Sequence, residues 1–146
     1  MESKTVIPPL PCMCASVRRS SRALTQLYEE ALSPLGLRTT QFTILQFLSV
    51  VGEVGQGALG KSLALDSTTL TRALALLIRN GWIHERRGED RRERFLKLTK
   101  SGERKLAQAL PRWEKVQAEL QHGLGADEWQ KLLTSVNQLT RVLSEM

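Results

Sequence analysis

The sequence predicts a mainly α-helical fold carrying one small β-hairpin, and three observations predict it. Apolar residues recur at helical spacing from Cys12 to Leu32, from Thr39 to Val51, and again through the C-terminal third. Two short alternating runs, Trp82 to Arg86 and Arg94 to Leu98, read as strands joined by the polar loop Arg87-Gly88-Glu89-Asp90-Arg91-Arg92. Glycine, proline and hydroxyl residues fall at the junctions, where they stop one element or cap the next. At 146 residues the chain is long enough for one self-sufficient core.

Residues 1–11, with Pro8, Pro9 and Pro11, are expected to form an extended arm. The remainder, 12–146, is expected to be a single domain. Its first helix carries Ala15, Val17, Ala23, Leu24, Leu27, Ala31 and Leu32 between arginines and glutamates, and Ser33-Pro34-Leu35-Gly36 ends it. Thr39 or Thr40 is expected to cap the second helix, which is apolar nearly all round and so belongs in a core. Gly52, Gly55 and Gly57 mark a loop before a short third helix near 58–63. After the tight turn Ala64-Leu65-Asp66, the Asp66 carboxylate can cap a fourth helix over 67–79, stopped by Asn80-Gly81. Behind the hairpin, Thr99 can cap a long helix over about 100–122 with Pro111 inside it, where a missing backbone donor favours a bend. Gly123 and Gly125 are expected to break the chain. A last helix over about 127–144 carries Trp129, Leu132, Leu133, Val136, Leu139, Val142 and Leu143 as one stripe.

Helix, helix, turn, helix, hairpin is the order of a winged helix-turn-helix, here over about 36–99. Leu70, Leu74, Leu77 and Ile78 share one face of the fourth helix, which leaves Ser67, Thr68, Thr69, Thr71 and Arg72 near its outer, N-terminal end. Short hydroxyls there suit close approach to phosphates and base edges. At the hairpin tip Arg91 and Arg92 fit a narrow minor groove. Asp90 cannot meet DNA favourably and is expected to pair with a neighbouring arginine such as Arg72, setting the wing angle.

Charge supports a polyanion partner. The net charge is +6, and residues 61–105 hold twelve basic against six acidic side chains, while the rest of the chain is balanced. No run of 18 apolar residues is long enough to span a membrane, and the N-terminus lacks a secretory core, so a cytoplasmic location is expected, with Cys12 and Cys14 reduced. No metal or other cofactor is expected: Cys12, Cys14, His84 and His122 are the only soft ligands and are scattered. Gly52 to Gly57 lacks the preceding strand and following Lys-Ser of a phosphate loop. An enzyme is not expected. The rival from that class, a thiol peroxidase using Cys14, would need a positioned general base. A second rival is a helical adaptor that binds protein.

Taken in order, Leu35-Gly36-Leu37, Gln41-Phe42, Ser67-Thr68-Thr69-Leu70-Thr71-Arg72, Gly81-Trp82-Ile83, Asp90-Arg91-Arg92 and Leu98-Thr99-Lys100-Ser101-Gly102 resemble the MarR (multiple antibiotic resistance regulator) family of bacterial transcription factors. The resemblance covers about residues 12–145. It implies an obligate homodimer whose first, fifth and sixth helices (about 12–33 and 100–145) interleave. It also implies a repressor of a nearby promoter acting through a pseudo-palindromic duplex site. Arg92 would then be the minor-groove residue and Arg72 a structural or phosphate contact. The long apolar stripes of the first and last helices, more than one small domain can cover, point to dimerisation independently.

Family members often bind small anionic or aromatic effectors between the dimer helices and the winged region. Arg18, Arg22, Phe42, Phe47 and Trp113 are the candidates here, and Phe42 and Phe47 are equally good core residues. Cys12 and Cys14 are candidate redox sensors. Cys14, by its spacing to Arg22, resembles the reactive cysteine of the organic-hydroperoxide-sensing branch, and a helix N-terminus near Arg18 favours a reactive thiolate. The chain departs from that branch in having no tyrosine on the second helix; its single tyrosine is Tyr28.

Overall fold

Helix α1 (Met13–Leu32), a 3-10 turn (Ser33–Leu35) and α2 (Thr39–Val51) open the computed structural model, which describes residues 7–146. The short strand β1 (Val54–Gly55), α3 (Gln56–Ser62) and α4 (Ser67–Arg79) follow. The chain then forms β2 (Ile83–Arg87), β3 (Arg94–Leu98), α5 (Lys100–Leu124) and α6 (Ala126–Glu145). The fold is the expected one, mostly helical around a small antiparallel sheet.

Helix α2 lies at the centre because it has no polar face. Phe42, Ile44, Leu45 and Leu48 are buried and join Leu32, Leu37, Leu59, Leu74, Leu77, Ile83, Leu96 and Leu106 in one core. Its start differs from the expectation. Arg38, not a threonine, is the N-cap, and its backbone N–H donates to Gln41 Oε1 at 3.0 Å. The N–H of Thr39 donates to Glu29 Oε1 of α1 at 2.9 Å. With those donors served by Gln41 and by a carboxylate reached from another helix, neither threonine hydroxyl is needed as a cap. The Thr39 hydroxyl is buried without a partner.

Helix α4 follows its sequence closely. Asp66 caps it, accepting from the Thr69 N–H at 2.8 Å, and Leu70, Ala73, Leu74 and Leu77 are buried. At the other end Gly81 adopts φ 73°, and the N–H groups of Gly81 and Trp82 return to the Ile78 and Leu77 carbonyls. This pair of reversed bonds is a Schellman stop, which needs a left-handed residue and so favours glycine. The turn before α4 uses Ala64 in the same left-handed region, at φ 52°.

The wing has three strands rather than two. They are ordered β1-β3-β2, all antiparallel, with Val54 opposite Leu96 and Arg86 opposite Phe95. The segment expected as a glycine loop therefore contributes an edge strand, and two residues are too few to show alternation. Ile83 and Leu96 face the core, while Arg86, Phe95, His84 and Lys97 share the opposite face.

Helix α5 starts on the root of the wing. The Thr99 hydroxyl accepts from the Gly102 N–H and donates to the Gly81 carbonyl, and the Thr99 N–H donates to the Trp82 carbonyl. A Cβ at Gly102 would lie 2.0 Å from that Trp82 oxygen, so only glycine allows the approach. Pro111 lies within α5, and α5 runs on through Gly123; the break falls at Gly125 alone, at φ 86°. Mid-chain glycine can remain helical, whereas the positive φ at 125 cannot be continued. Helix α6 has no buried residue, and Leu132, Leu133, Val136, Val142 and Leu143 are all exposed. Among the described residues no helix is long and apolar enough to cross a membrane.

Candidate nucleic-acid interface

Inward packing of Leu70, Ala73, Leu74 and Leu77 turns the other side of α4 to solvent, and Ser67, Thr68, Thr69, Thr71 and Arg72 are all exposed. They are not equally free. The Thr69 hydroxyl donates to Asp66 Oδ2 at 2.7 Å, so it is bound into the cap. The bonds from the Thr69 N–H and hydroxyl hold the Asp66 carboxyl below the usual carboxylate range. Ser67 and Thr68, in the first turn, and Thr71 and Arg72, in the next, keep their side chains available.

The wing tip is built by its own backbone. Gly88 N–H donates to the Glu93 carbonyl, Glu93 N–H to the Asp90 carbonyl, and Arg92 N–H to Asp90 Oδ1, each at 3.0 Å. Asp90 therefore closes a turn two residues ahead of it and does not pair with Arg72, contrary to the sequence expectation. An aspartate at such a position reaches the nearby backbone donor with little ordering, whereas pairing with α4 would require two side chains to be held across a gap. A Cβ on Gly88 would fall 2.8 Å from the Glu93 Cβ and 2.9 Å from the Phe95 ring, so the tip is tightly folded. Arg91 and Arg92 remain exposed.

Two grooves connect these elements. Gln56, Lys61 and Ser67 line one together with Arg92, which brings the wing tip, α3 and the start of α4 to a single concave surface. Thr71 and Arg79 line the other, with Glu85 and Arg94 of the sheet. Across the sheet, two ion pairs act on opposite faces. Arg94 meets Glu85 at 3.2 Å on the α4 side. On the outer face Arg86 makes a bidentate contact with Glu53, with Nε 3.0 and 2.9 Å from its two oxygens, and lies 4.4 Å over the Phe95 ring. The guanidinium holds the Glu53 carboxyl below the usual carboxylate range. Lys61, Gln56, Glu53 and Arg86 were not singled out by sequence. Their roles depend on strands and helices meeting over 33 residues of chain, which no local spacing encodes.

The other candidates are dispersed. Phe42 is 2% exposed in the core, with the half-buried Trp113 of α5 at 6.1 Å between ring centroids, and Phe47 packs half-buried on the same core. Arg18 and Arg22 are exposed on α1. Cys12 is the N-cap residue of α1 and Cys14 lies in its first turn; both are exposed free thiols. Ahead of them Pro8 and Leu10 are tied to α1, with Ser16 Oγ donating to the Leu10 carbonyl and Arg19 to that of Pro8; residues 1–6 of the expected arm lie outside the described residues. Tyr28 of α1 donates to Gln117 of α5, and burial raises its pKa. His84 lies on β2 and His122 in the last turn of α5.

The MarR family model matches residues 37–93, from just before α2 to the end of the wing loop. A relative in Bacillus subtilis, the HTH-type transcriptional regulator YwoH, is 33% identical over 104 residues, which cover 71% of this chain and 76% of the relative. The chain belongs to the MarR family. It is a MarR-type transcriptional regulator and not an enzyme. Among solved structures, the transcriptional regulator MosR of M. tuberculosis in complex with DNA matches with a TM-score of 0.81 and 33% identity. That match covers 92% of this chain and 97% of MosR. A mutant MarR from E. coli complexed with operator DNA matches with a TM-score of 0.77 and 26% identity, over 87% of this chain and 92% of that one.

Proposed function

We propose that this MarR-family chain acts as a homodimeric repressor. It grips a pseudo-palindromic duplex with α4 in the major groove and the wing tip in the adjoining minor groove. The observation that carries the reading is the convergence of Ser67, Lys61 and Arg92 on one groove beside the exposed face of α4. Hydroxyls and cations from three separate elements form one surface suited to a phosphate backbone, and the solved MosR and MarR relatives are complexed with DNA. Thr68, Thr71 and Arg72 would face base edges and phosphates, and Arg91 and Arg92 the minor groove.

Dimerisation rests on α1 and α6. Val17 and Leu24 on α1 and Leu132, Val136 and Leu143 on α6 are each more than 40% exposed in the single chain. Exposed apolar stripes on two long helices mark an association surface. A two-fold partner would set two copies of α4 about 34–36 Å apart, one turn of duplex.

For the released state, Cys12 and Cys14 support an oxidant signal, since both thiols are free and exposed at the start of a helix in the proposed dimer region. The Cys14 thiolate would attack a peroxide oxygen, leaving a sulfenic acid and releasing water or an alcohol. A small-molecule effector near Arg18, Arg22, Phe47 and Trp113 is the second reading. The Phe42–Trp113 ring contact favours it, because it joins the core of the winged region to α5.

The test is a gel shift on the DNA upstream of the chain's own gene, with and without mild peroxide, alongside the mass in solution. A specific shift by a dimer supports the proposal. Loss of the shift on oxidation, prevented by Cys14→Ser, supports the oxidant signal; a shift that survives peroxide turns the search to ligands. A monomer, or binding without sequence preference, sinks the repressor reading.

A further inference from the structure

The outer face of the sheet carries an acidic residue that opposes the charge of the proposed DNA surface. Glu53 sits immediately before β1, in the segment that leads from α2 into the sheet. It reaches across the full width of the sheet, over β3, to Arg86 on β2. Arg86 is also stacked on Phe95 of the central strand. One guanidinium thus links β2 to the central strand and to the residue that leads into β1, one residue before the hairpin leaves the sheet at Arg87. The pair is partly solvent-exposed, at 48% for Arg86 and 32% for Glu53. Exposed pairs contribute little to global stability. Its geometric effect is the larger one. The root of the wing is fixed by Thr99 and by the buried Ile83 and Leu96, but β1 and β3 share only two paired positions, so few backbone bonds hold the β1 edge of the sheet.

We infer that Glu53 is a positioning residue for DNA recognition, holding the wing at its working angle through a bidentate, ring-stacked contact with Arg86. The inference rests on the DNA-binding reading for its consequence, and on the sheet geometry alone for the brace itself. Charge and brace make opposite forecasts. As a plain negative charge near DNA, Glu53 weakens binding, and its removal would tighten binding to every sequence. As a brace, its removal lets the wing drift, and binding to the specific site alone falls.

Full-length wild type, Glu53→Ala and Arg86→Lys are compared by fluorescence anisotropy on the cognate site and a scrambled duplex over a salt series. Amide exchange at Gly88 and Glu93, whose N–H groups close the wing tip, is measured without DNA. The brace predicts faster exchange at both amides in both variants and little change in unfolding midpoint. It also predicts a loss of cognate affinity of about two- to tenfold, the scale of re-ordering one or two side chains on binding. Arg86→Lys keeps its charge, so its salt slope should match wild type while its cognate affinity falls. Unchanged amide exchange in both variants overturns the brace, whatever the DNA result. Uniformly tighter binding by Glu53→Ala overturns the positioning role. Faster exchange in a protein whose wild type binds no duplex keeps the brace and overturns the DNA reading instead.

Discussion

Helices α4 and α6 both carry a long apolar stripe, yet the structure treats them in opposite ways. Leu70, Ala73, Leu74 and Leu77 of α4 are buried against α2 and the sheet. Trp129 and Leu139 of α6 are only half-buried, and Leu132, Leu133, Val136, Val142 and Leu143 lie open. The ends differ too. α4 has a side-chain cap and a glycine stop, whereas α6 begins at Gly125 with no side-chain cap bond. The winged region therefore completes itself, with its apolar surface and helix ends satisfied from within. The terminal helices have the surface of half a structure. Contacts inside one chain determine the first region, and the proposed second copy determines the other.

Substitutions in the two regions should consequently fail in different ways. The largest effects are expected at the extremes. Leu132→Glu with Val136→Glu should weaken dimerisation by at least two decades in Kd, about 3 kcal/mol for two apolar side chains. Analytical ultracentrifugation over a concentration series would read this, and an unaltered sedimentation profile would remove α6 from the interface. Gly102→Ala is its counterpart in the winged region. The clash with the Trp82 carbonyl should cost about 3 kcal/mol or more, because backbone lies on both sides of the contact. Urea unfolding would show it, at any protein concentration at which the dimer persists.

Arg92→Ala comes next. It should leave folding intact and weaken cognate DNA binding by about 1–3 kcal/mol if the guanidinium makes a specific groove contact; a wild-type isotherm would exclude that contact. Thr99→Ala removes both a helix cap and the bond to Gly81, and should lower stability by about 1 kcal/mol in the same urea assay.

The smallest effect is a pH dependence at the start of α4. The folded Asp66 carboxyl titrates below its unfolded value, which is about 3.9. The sign follows from linkage. The stabilisation is fully present above the unfolded pKa and is lost as pH falls through the lower folded one. Asp66→Asn should therefore trail wild type at pH 6 and converge with it in strong acid. A gap in urea midpoint that persists unchanged at the acid end would count against the cap as its source.

How much was legible in the sequence divides along a similar line. The Asp66 cap, the Gly81 stop and the Thr99 cap all lie within a few residues of the backbone groups they serve, so residue type and spacing announced them. Helix α4 was bounded correctly for that reason, and the apolar periods of α1 and α6 gave the helical content of the rest. Strand β1 was hidden because a two-residue strand shows no alternation, and Val54 is its one apolar side chain. The Glu53–Arg86 brace was hidden because an arginine in a basic segment has many acidic residues to choose from, and only the strand order β1-β3-β2 selects one. Asp90 misled for the opposite reason. Its charge suggests a distant arginine as partner, while the nearer Arg92 N–H lies within reach.

The contact between Trp82 and the start of α5 also has a mechanical meaning. A single carbonyl oxygen accepts from Thr99 and lies against the bare Cα of Gly102, at the root of both wing strands. On one side of this point α5 extends for 25 residues, about 37 Å at 1.5 Å per residue. On the other, the five-residue strands of the hairpin reach about 17 Å. If the two turn together about that oxygen, they form a lever with arms in a ratio of roughly two to one. A 3 Å swing at the far end of α5 becomes about 1.5 Å at the arginines of the wing, a displacement of about half a hydrogen-bond length. Such a lever would trade distance for force: a wide movement among the long helices would arrive at the wing as a short one.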